Sequence, residues 1–298
     1  MRTAAAETGF YRIDTDDVAE SHQADHDPEA VEKTLAAIEA TATPLLDALI
    51  VDRVPISAEE RFQLSLFVAL QPARGWSVRE EINRLGTLAA RSHLSVTLTA
   101  DRVRDFLTEQ GAANSDADVE AFRDRILGDS GPTLQMSQPH MVQQTLKFAL
   151  EAVLPIVYFR KWAVQRFADP VLLTSDCPVA SWSPPRADGL PVGIAEAEEI
   201  YMPLDRRTVL VLTTGAPAAA RHTTEEATAE RIARINTAVA SAAHRWIYHH
   251  PDDSPLASME LPPQENWVEE ATEVIEQPDG SVRVRGMYVR RPAQGPTT

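Results

Sequence analysis

The stretch EIYMPLDRRTVLVLT, Glu199 to Thr213, decides how this chain is read. Two runs rich in apolar and β-branched residues, Glu199–Leu204 and Thr208–Thr213, flank the polar triplet Asp205-Arg206-Arg207. Such runs on either side of a short turn predict two strands. Upstream, Trp162–Phe167 alternates and Val171–Thr174 is a short apolar run, so both predict strands, separated by Ala168-Asp169-Pro170. Downstream, Arg245–His249 reads as a strand and Ser281–Arg290 as a late strand or hairpin arm. The Pro-rich segment Cys177–Leu190 predicts a loop, and Asp252–Gln264 a surface linker. One helix is expected in this half, Thr223–Ala243, capped by Thr223 with Glu226 closing the box and Ile232, Ile235 and Val239 as its stripe.

The first half has the other period. Asp27-Pro28 starts a helix whose Val31, Leu35, Ile38, Leu45, Leu46 and Leu49 recur at helical spacing, with a kink or the start of a second segment expected at Pro44. Ser57 and Glu60 make a capping box, and Pro72 marks a stop. Ser77 with Glu80, Thr99 and Ser115 predict three further starts, and a long helix is expected from about Ser137 to Val157. Helices first and strands later predict an α+β fold, an N-terminal helical bundle packed on a C-terminal mostly antiparallel sheet. The expected division is an acidic arm over 1–26, a helical region over 27–157 and a sheet-rich region over 158–298, with a single shared core as the alternative.

The 298 residues carry 28 basic and 44 acidic side chains, a net charge of −16. That balance disfavours a protein that coats nucleic acid or an anionic membrane, because both need a positive face. The lone Cys177 excludes an internal disulfide and a cysteine-built zinc site. With 12 glycines and no glycine-rich phosphate loop, dinucleotide fingerprint or nucleophile elbow, no nicotinamide or flavin is expected. No apolar run approaches the ~20 residues of a membrane span. A cytoplasmic protein is the expectation, and the Ala, Arg, Asp and Glu content suits a GC-rich bacterial genome. The arm bearing Asp16, Asp17, Asp25, His22 and His26 reads as a solvated charge run.

Several polar positions are candidates for chemistry. Asp176 and Ser175 follow a predicted strand and precede Pro178, a rigid mount for a general base or metal ligand, or else a turn bonded to its own backbone. Glu32 and Glu39 lie seven residues apart on one helix face, and Glu39 borders the apolar stripe. It is a candidate proton-transfer group, or else the partner of Arg61 or Arg74. Arg74 follows a helix end and could hold a carboxylate or phosphate in two-point contact, or else form a salt bridge. His140 opens the long helix, with Glu151 three turns on. Asn236 falls inside an apolar helix and needs partners, from a loop or a ligand.

The segments VEKTLAAIEATATPLL, LSLFVALQPAR, LLTSDCPV and YMPLDRRTVLVL, followed by Ile235-Asn236 and RWIYHHP, resemble in this order the bacterial domain-of-unknown-function family 4238. The resemblance runs from about Phe10 to Pro251, with Thr174-Ser175-Asp176-x-Pro178 its most specific piece. Members of that family begin with a His-x-x-Pro-x-x-Tyr-Leu-Arg type of segment, which this chain lacks. The resemblance implies a fold neighbourhood and no established reaction.

Two functions from different classes follow. One is a hydrolase-type enzyme in which Glu39, Asp176 and His140 act as catalytic groups and Arg74, Ser175 and Asn236 bind substrate. In it Glu32, Glu39 and Asp176 could hold Mg²⁺ or Mn²⁺. The other is a non-catalytic binding or accessory protein, suggested by the lack of a strong catalytic motif and by Trp76, Trp182 and Trp267 in predicted loops. A third, an enzyme acting on a small amino or peptide-like substrate, would use Asp176 for a cation and Arg74 for a carboxylate. A small-molecule or peptide ligand suits each. Convergence of the charged groups separates the enzymes from the binding protein.

Overall fold

The computed structural model describes residues 27–51, 56–128, 131–187, 192–215, 221–223, 228–256, 259–261, 266–276 and 282–291, with Tyr11, Ile13 and Arg53. The expected acidic arm therefore lies almost wholly outside the described residues. The fold is α+β, with most helices in the first half and a mostly antiparallel sheet in the second. The chain divides into two compact units, Met1–Arg79 with Gln138–Gln264, and Glu80–Ser137 with Glu265–Thr298.

The first unit holds a five-stranded sheet. Its strands are β1 (Lys161–Arg166), β3 (Ala180–Trp182), β4 (Glu199–Pro203), β5 (Thr208–Thr213) and β6 (Arg221–Thr223), ordered β3-β4-β5-β1-β6. The first four run antiparallel to their neighbours, and β6 is parallel to β1. The opening stretch forms the β4–β5 hairpin. The Asp205 carboxylate accepts the N–H groups of Arg207 and Thr208 at 2.7 Å each, which closes the turn.

Alternation along the strands sends side chains to two cores. Trp162, Val164, Ile200, Met202, Leu210 and Leu212 pack with Ala42, Leu49, Leu64, Val68, Val153 and Val157. Those partners lie on α1 (Ala30–Ile50), α2 (Ala58–Ala73), the π-helical segment Phe148–Val153 and α7 (Leu154–Phe159). On the other face Tyr201, Val209 and Val211 meet Ile235, Ala238 and Val239 of α8 (Ala229–Ala242). The sheet is thus covered by helices on both faces, and its central strands are apolar on both. A second pairing, β2 (Thr174–Ser175) with β7 (Ile247–Tyr248), flanks α8.

Two buried arginines lock the junction between α7 and β1. Arg61 of α2 donates to the carbonyls of Tyr158, at 3.0 Å, and of Arg160, and its guanidinium lies 4.8 Å from the centre of the Trp162 ring. The last carbonyls of a helix are the negative end of its dipole and attract a cation. Arg160 donates to the carbonyls of Ile194 and Ala195, at 3.1 and 3.2 Å, holding the approach to β4. Burial lowers the pKa of both guanidinium groups.

The second unit contains most of α3 (Trp76–Thr97), α4 (Ala100–Glu109), α5 (Asp116–Leu127) and a hairpin of β8 (Asn266–Glu276) and β9 (Val282–Arg291). Thr99 and Ser115 cap α4 and α5 as their sequence predicts, and Asp118 completes a capping box with Ser115. Gly111 ends α4 at φ +64°, a conformation that an L side chain rarely adopts. Val103, Leu107 and Val119 form the small core of this helical pair.

Several local expectations are corrected. No second segment starts at Pro44, since α1 continues through it to Ile50, and Ser77 lies inside α3 rather than capping it. Val171–Leu173 is not a strand. The N–H groups of Val171 and Leu172 go to the Arg206 carbonyl, and that of Leu173 to Asn236, so no ladder forms. The predicted loop after Cys177 contains β3, paired to β4. Thr223 belongs to β6, and α8 begins five residues later, where the Thr228 hydroxyl accepts the Arg231 N–H at 3.1 Å. The long helix runs from α6 (Gln138–Lys147) into α7 and is interrupted by the π segment between them, whose wider turn shifts Glu151 relative to the face of His140.

Candidate functional site

Two polar clusters lie at opposite ends of α8. After its C-terminus the Asp176 carboxylate accepts three successive main-chain N–H groups, from His244 at 3.0 Å, Arg245 at 2.8 Å and Trp246 at 3.1 Å. The Asp176 N–H returns a bond to the Trp246 carbonyl at 3.0 Å, which extends the β2–β7 pairing by one residue. Ser175 is buried. Its hydroxyl donates to the Cys177 carbonyl at 2.7 Å and accepts the Cys177 N–H at 3.2 Å. Burial and then the Asp176 charge push the Cys177 thiol up to about 11 against a weaker lowering by a hydrogen bond with the Val179 main chain, so it is a poor nucleophile at neutral pH. Asn236, 2% exposed, accepts the Leu173 N–H at 3.2 Å and donates to the Val171 carbonyl at 2.8 Å. Both ends of its amide are bonded to the one segment that lacks a ladder.

Side chains fill the N-terminal end. Glu199 and Tyr201 of β4 project toward α8, as do Gln165 of β1 and Trp182 of β3. The Glu199 carboxylate accepts from the Tyr201 hydroxyl and from Arg231 Nη1, the latter at 2.5 Å, with Arg234 Nη1 at 3.9 Å. Arg231 also donates to the Tyr201 hydroxyl at 3.1 Å and, through Nε, to Gln165 Oε1 at 3.2 Å. Arg234 stacks over the Trp182 ring, 4.2 Å from its centre. Burial pushes the Glu199 carboxyl up, but the hydrogen bonds from Arg231 and Tyr201, then the charges of Arg231 and Arg234, outweigh it. Glu199 therefore sits below the usual carboxylate range. Burial, then the hydrogen bond to Glu199 and its charge, raise the Tyr201 hydroxyl, which stays protonated at neutral pH. Gln165 Nε2 is buried without a hydrogen-bond partner. An unmet buried donor costs roughly 1–3 kcal/mol.

The remaining predicted residues lie among the helices. Glu39 and Arg74 form an ion pair between α1 and the end of α2. The Arg74 guanidinium lies 5.7 Å from the centre of the Tyr11 ring, and burial raises the Tyr11 hydroxyl pKa against the opposing charges of Arg74 and Arg79. Glu32 is half-buried on α1. His140 is exposed, 3.3 Å from the Gln144 side chain, and Glu151 pairs with Lys147 at 3.9 Å. The structure thus joins Glu39 to Arg74, and Ser175 and Asp176 to one turn. Among the described residues, no three His, Cys, Asp or Glu side chains gather as they would around a metal ion. Trp182 is half-buried beneath Arg234, and Trp267 lies on β8.

The chain belongs to the family described as protein of unknown function, DUF4238. The family model matches residues 1–253, which takes in the sheet, both ends of α8 and the Glu39–Arg74 pair. No curated protein and no solved structure matches the chain. Among the described residues, no helix of this DUF4238 protein is long and apolar enough to cross a membrane.

Sequence reasoning missed the N-terminal cluster of α8. Its signal was present but faint. Glu199 and Tyr201 share one face of an otherwise apolar strand, Gln165 alternates with Val164, and Arg231 and Arg234 sit three apart beside Ile235.

Proposed function

We propose that this DUF4238 protein is a binding or accessory protein whose ligand is a small molecule or peptide. The observation that carries this reading is the state of Asp176, the acid on which both enzymatic alternatives depend. An ionised carboxylate offers about four acceptor sites, and three main-chain donors occupy Asp176. Little is left for a metal ion or a transferred proton. Asn236 is bonded at both ends to backbone, which leaves it few means to touch a substrate. Thermal-shift screening of the full chain against Mg²⁺, Mn²⁺, nucleotides, amino acids, short peptides and small carboxylates tests it, because a ligand of the native state raises the melting temperature. A rise with an organic ligand, and no product by mass spectrometry, supports the binding reading. Turnover that D176N or E39Q abolishes contradicts it.

The hydrolase reading keeps one favourable observation. The π segment lies in the same helical rod as His140, and π turns recur at functional sites. In that reading Arg74 holds an anionic substrate group beside Glu39, and E39Q would abolish hydrolysis while leaving the fold intact.

A further inference from the structure

We propose that Tyr11 is the built-in occupant of a peptide-binding pocket, a ring-sized recess among α1, α2 and α6 that takes a tyrosine-bearing segment of a partner protein when the chain's own arm leaves. This deepens the binding reading above, in its peptide form, and rests on it. Tyr11 lies before α1, yet it is 6% exposed. It packs with Leu35 of α1, Leu70 and Ala73 of α2, Val142 of α6 and Ala149 of the π segment. Ala73 and Ala149 are fully buried, and side chains that small leave the space that the phenol ring takes. The walls come from helices, and what fills them comes from a segment outside those helices.

One end of the recess is polar. The Arg74 guanidinium lies 5.7 Å from the centre of the Tyr11 ring and is paired with Glu39. Their side chains are 26% and 45% exposed, so this end borders water. Apolar walls with a few polar groups are what pockets for organic groups share. A ring beside a guanidinium gains an attraction that an aliphatic side chain does not, which selects an aromatic occupant. The Ile13 N–H donates to the Pro28 carbonyl at 3.0 Å, just before α1, so the main chain after the tyrosine is held as well. A ring with a bonded N–H two residues on describes a peptide rather than a free phenol. The tethered arm acts at an effective concentration on the order of mM, and a rival segment has to overcome it.

Isothermal titration of a synthetic peptide of residues 7–16 into the full-length Y11A variant and the native chain at pH 7 tests the pocket. The expected result is saturable binding to Y11A, about tenfold or more weaker in the native chain, and lost when the peptide carries alanine in place of its tyrosine. In the native chain, peptide at millimolar concentration should quicken hydrogen exchange at the Ile13 N–H, because displacement frees that group. If Y11A folds poorly, a cooperative melt restored by the tyrosine peptide and not by the alanine peptide is the supporting result. Absent saturation, equal affinity for the two chains or the two peptides, unchanged exchange at Ile13, or a Y11A that stays unfolded with the peptide overturns the proposal. Such a failure leaves the broader binding reading standing if another screened ligand stabilises the native chain, and turnover of a bound ligand removes that reading itself.

Discussion

At the C-terminal end of α8 a carboxylate, Asp176, is ringed by main-chain N–H groups, while at the N-terminal end another, Glu199, is ringed by side chains. The two acids lie in one unit, yet they do different work. Asp176 ties the segment after the helix to the strand before Pro178, while Asn236 and the Arg206 carbonyl take the N–H groups of Val171–Leu173 in place of a ladder. Glu199 orders two arginines and a tyrosine around a buried amide that still has a donor to offer. A carboxylate saturated by backbone is scaffold. One set among side-chain donors and an unmet polar atom is the better place to look for a ligand.

The comparison can be broken at its scaffold end first. Asn236→Leu keeps the volume but strands the Leu173 N–H and the Val171 carbonyl in a buried place. It should cost about 2–4 kcal/mol in chemical denaturation. Asp176→Ala strands three donors that water can partly reach, so a loss of about 2 kcal/mol is expected. A loss near zero in either would show that the turn is held by something else.

The Glu199 end responds to acid. Its folded pKa lies below the unfolded value, so its contribution is full above roughly pH 4.3 and is lost as the pH falls through the folded value. Glu199→Gln should flatten that part of the acid limb of a stability profile. An unchanged limb would mean that the ion pair with Arg231 adds nothing. The smallest effect concerns Cys177. With its thiol pushed up to about 11, alkylation by iodoacetamide at pH 8 should be far slower in the native chain than in the denatured one. Equal rates would contradict the packed turn.

Much of the architecture was legible because period and caps are local. The β4–β5 hairpin, the Ser57 box, and the Thr99 and Ser115 caps follow from residues within a few positions of each other. What failed depended on distant partners. Val171–Leu173 looks like a strand until Arg206 and Asn236 take its N–H groups. Thr223 looks like a cap until β1 takes it into a parallel pair. Site residues divided the same way. The sequence offers Arg61 or Arg74 as a partner for Glu39, and Arg74 forms the pair while Arg61 bonds the carbonyls of Tyr158 and Arg160. Gln165, Glu199 and Arg231 come from three elements, 32 to 66 positions apart in their pairings, and only the register of the sheet against α8 joins them.

Chemical denaturation of Asp176→Ala, Glu199→Gln and the double variant at pH 7 tests the independence of the two ends of α8 most directly. The two losses should add to within about 0.5 kcal/mol, because the ends share no partner. A double-variant loss that departs from their sum by more than about 1 kcal/mol would couple the ends and contradict the account.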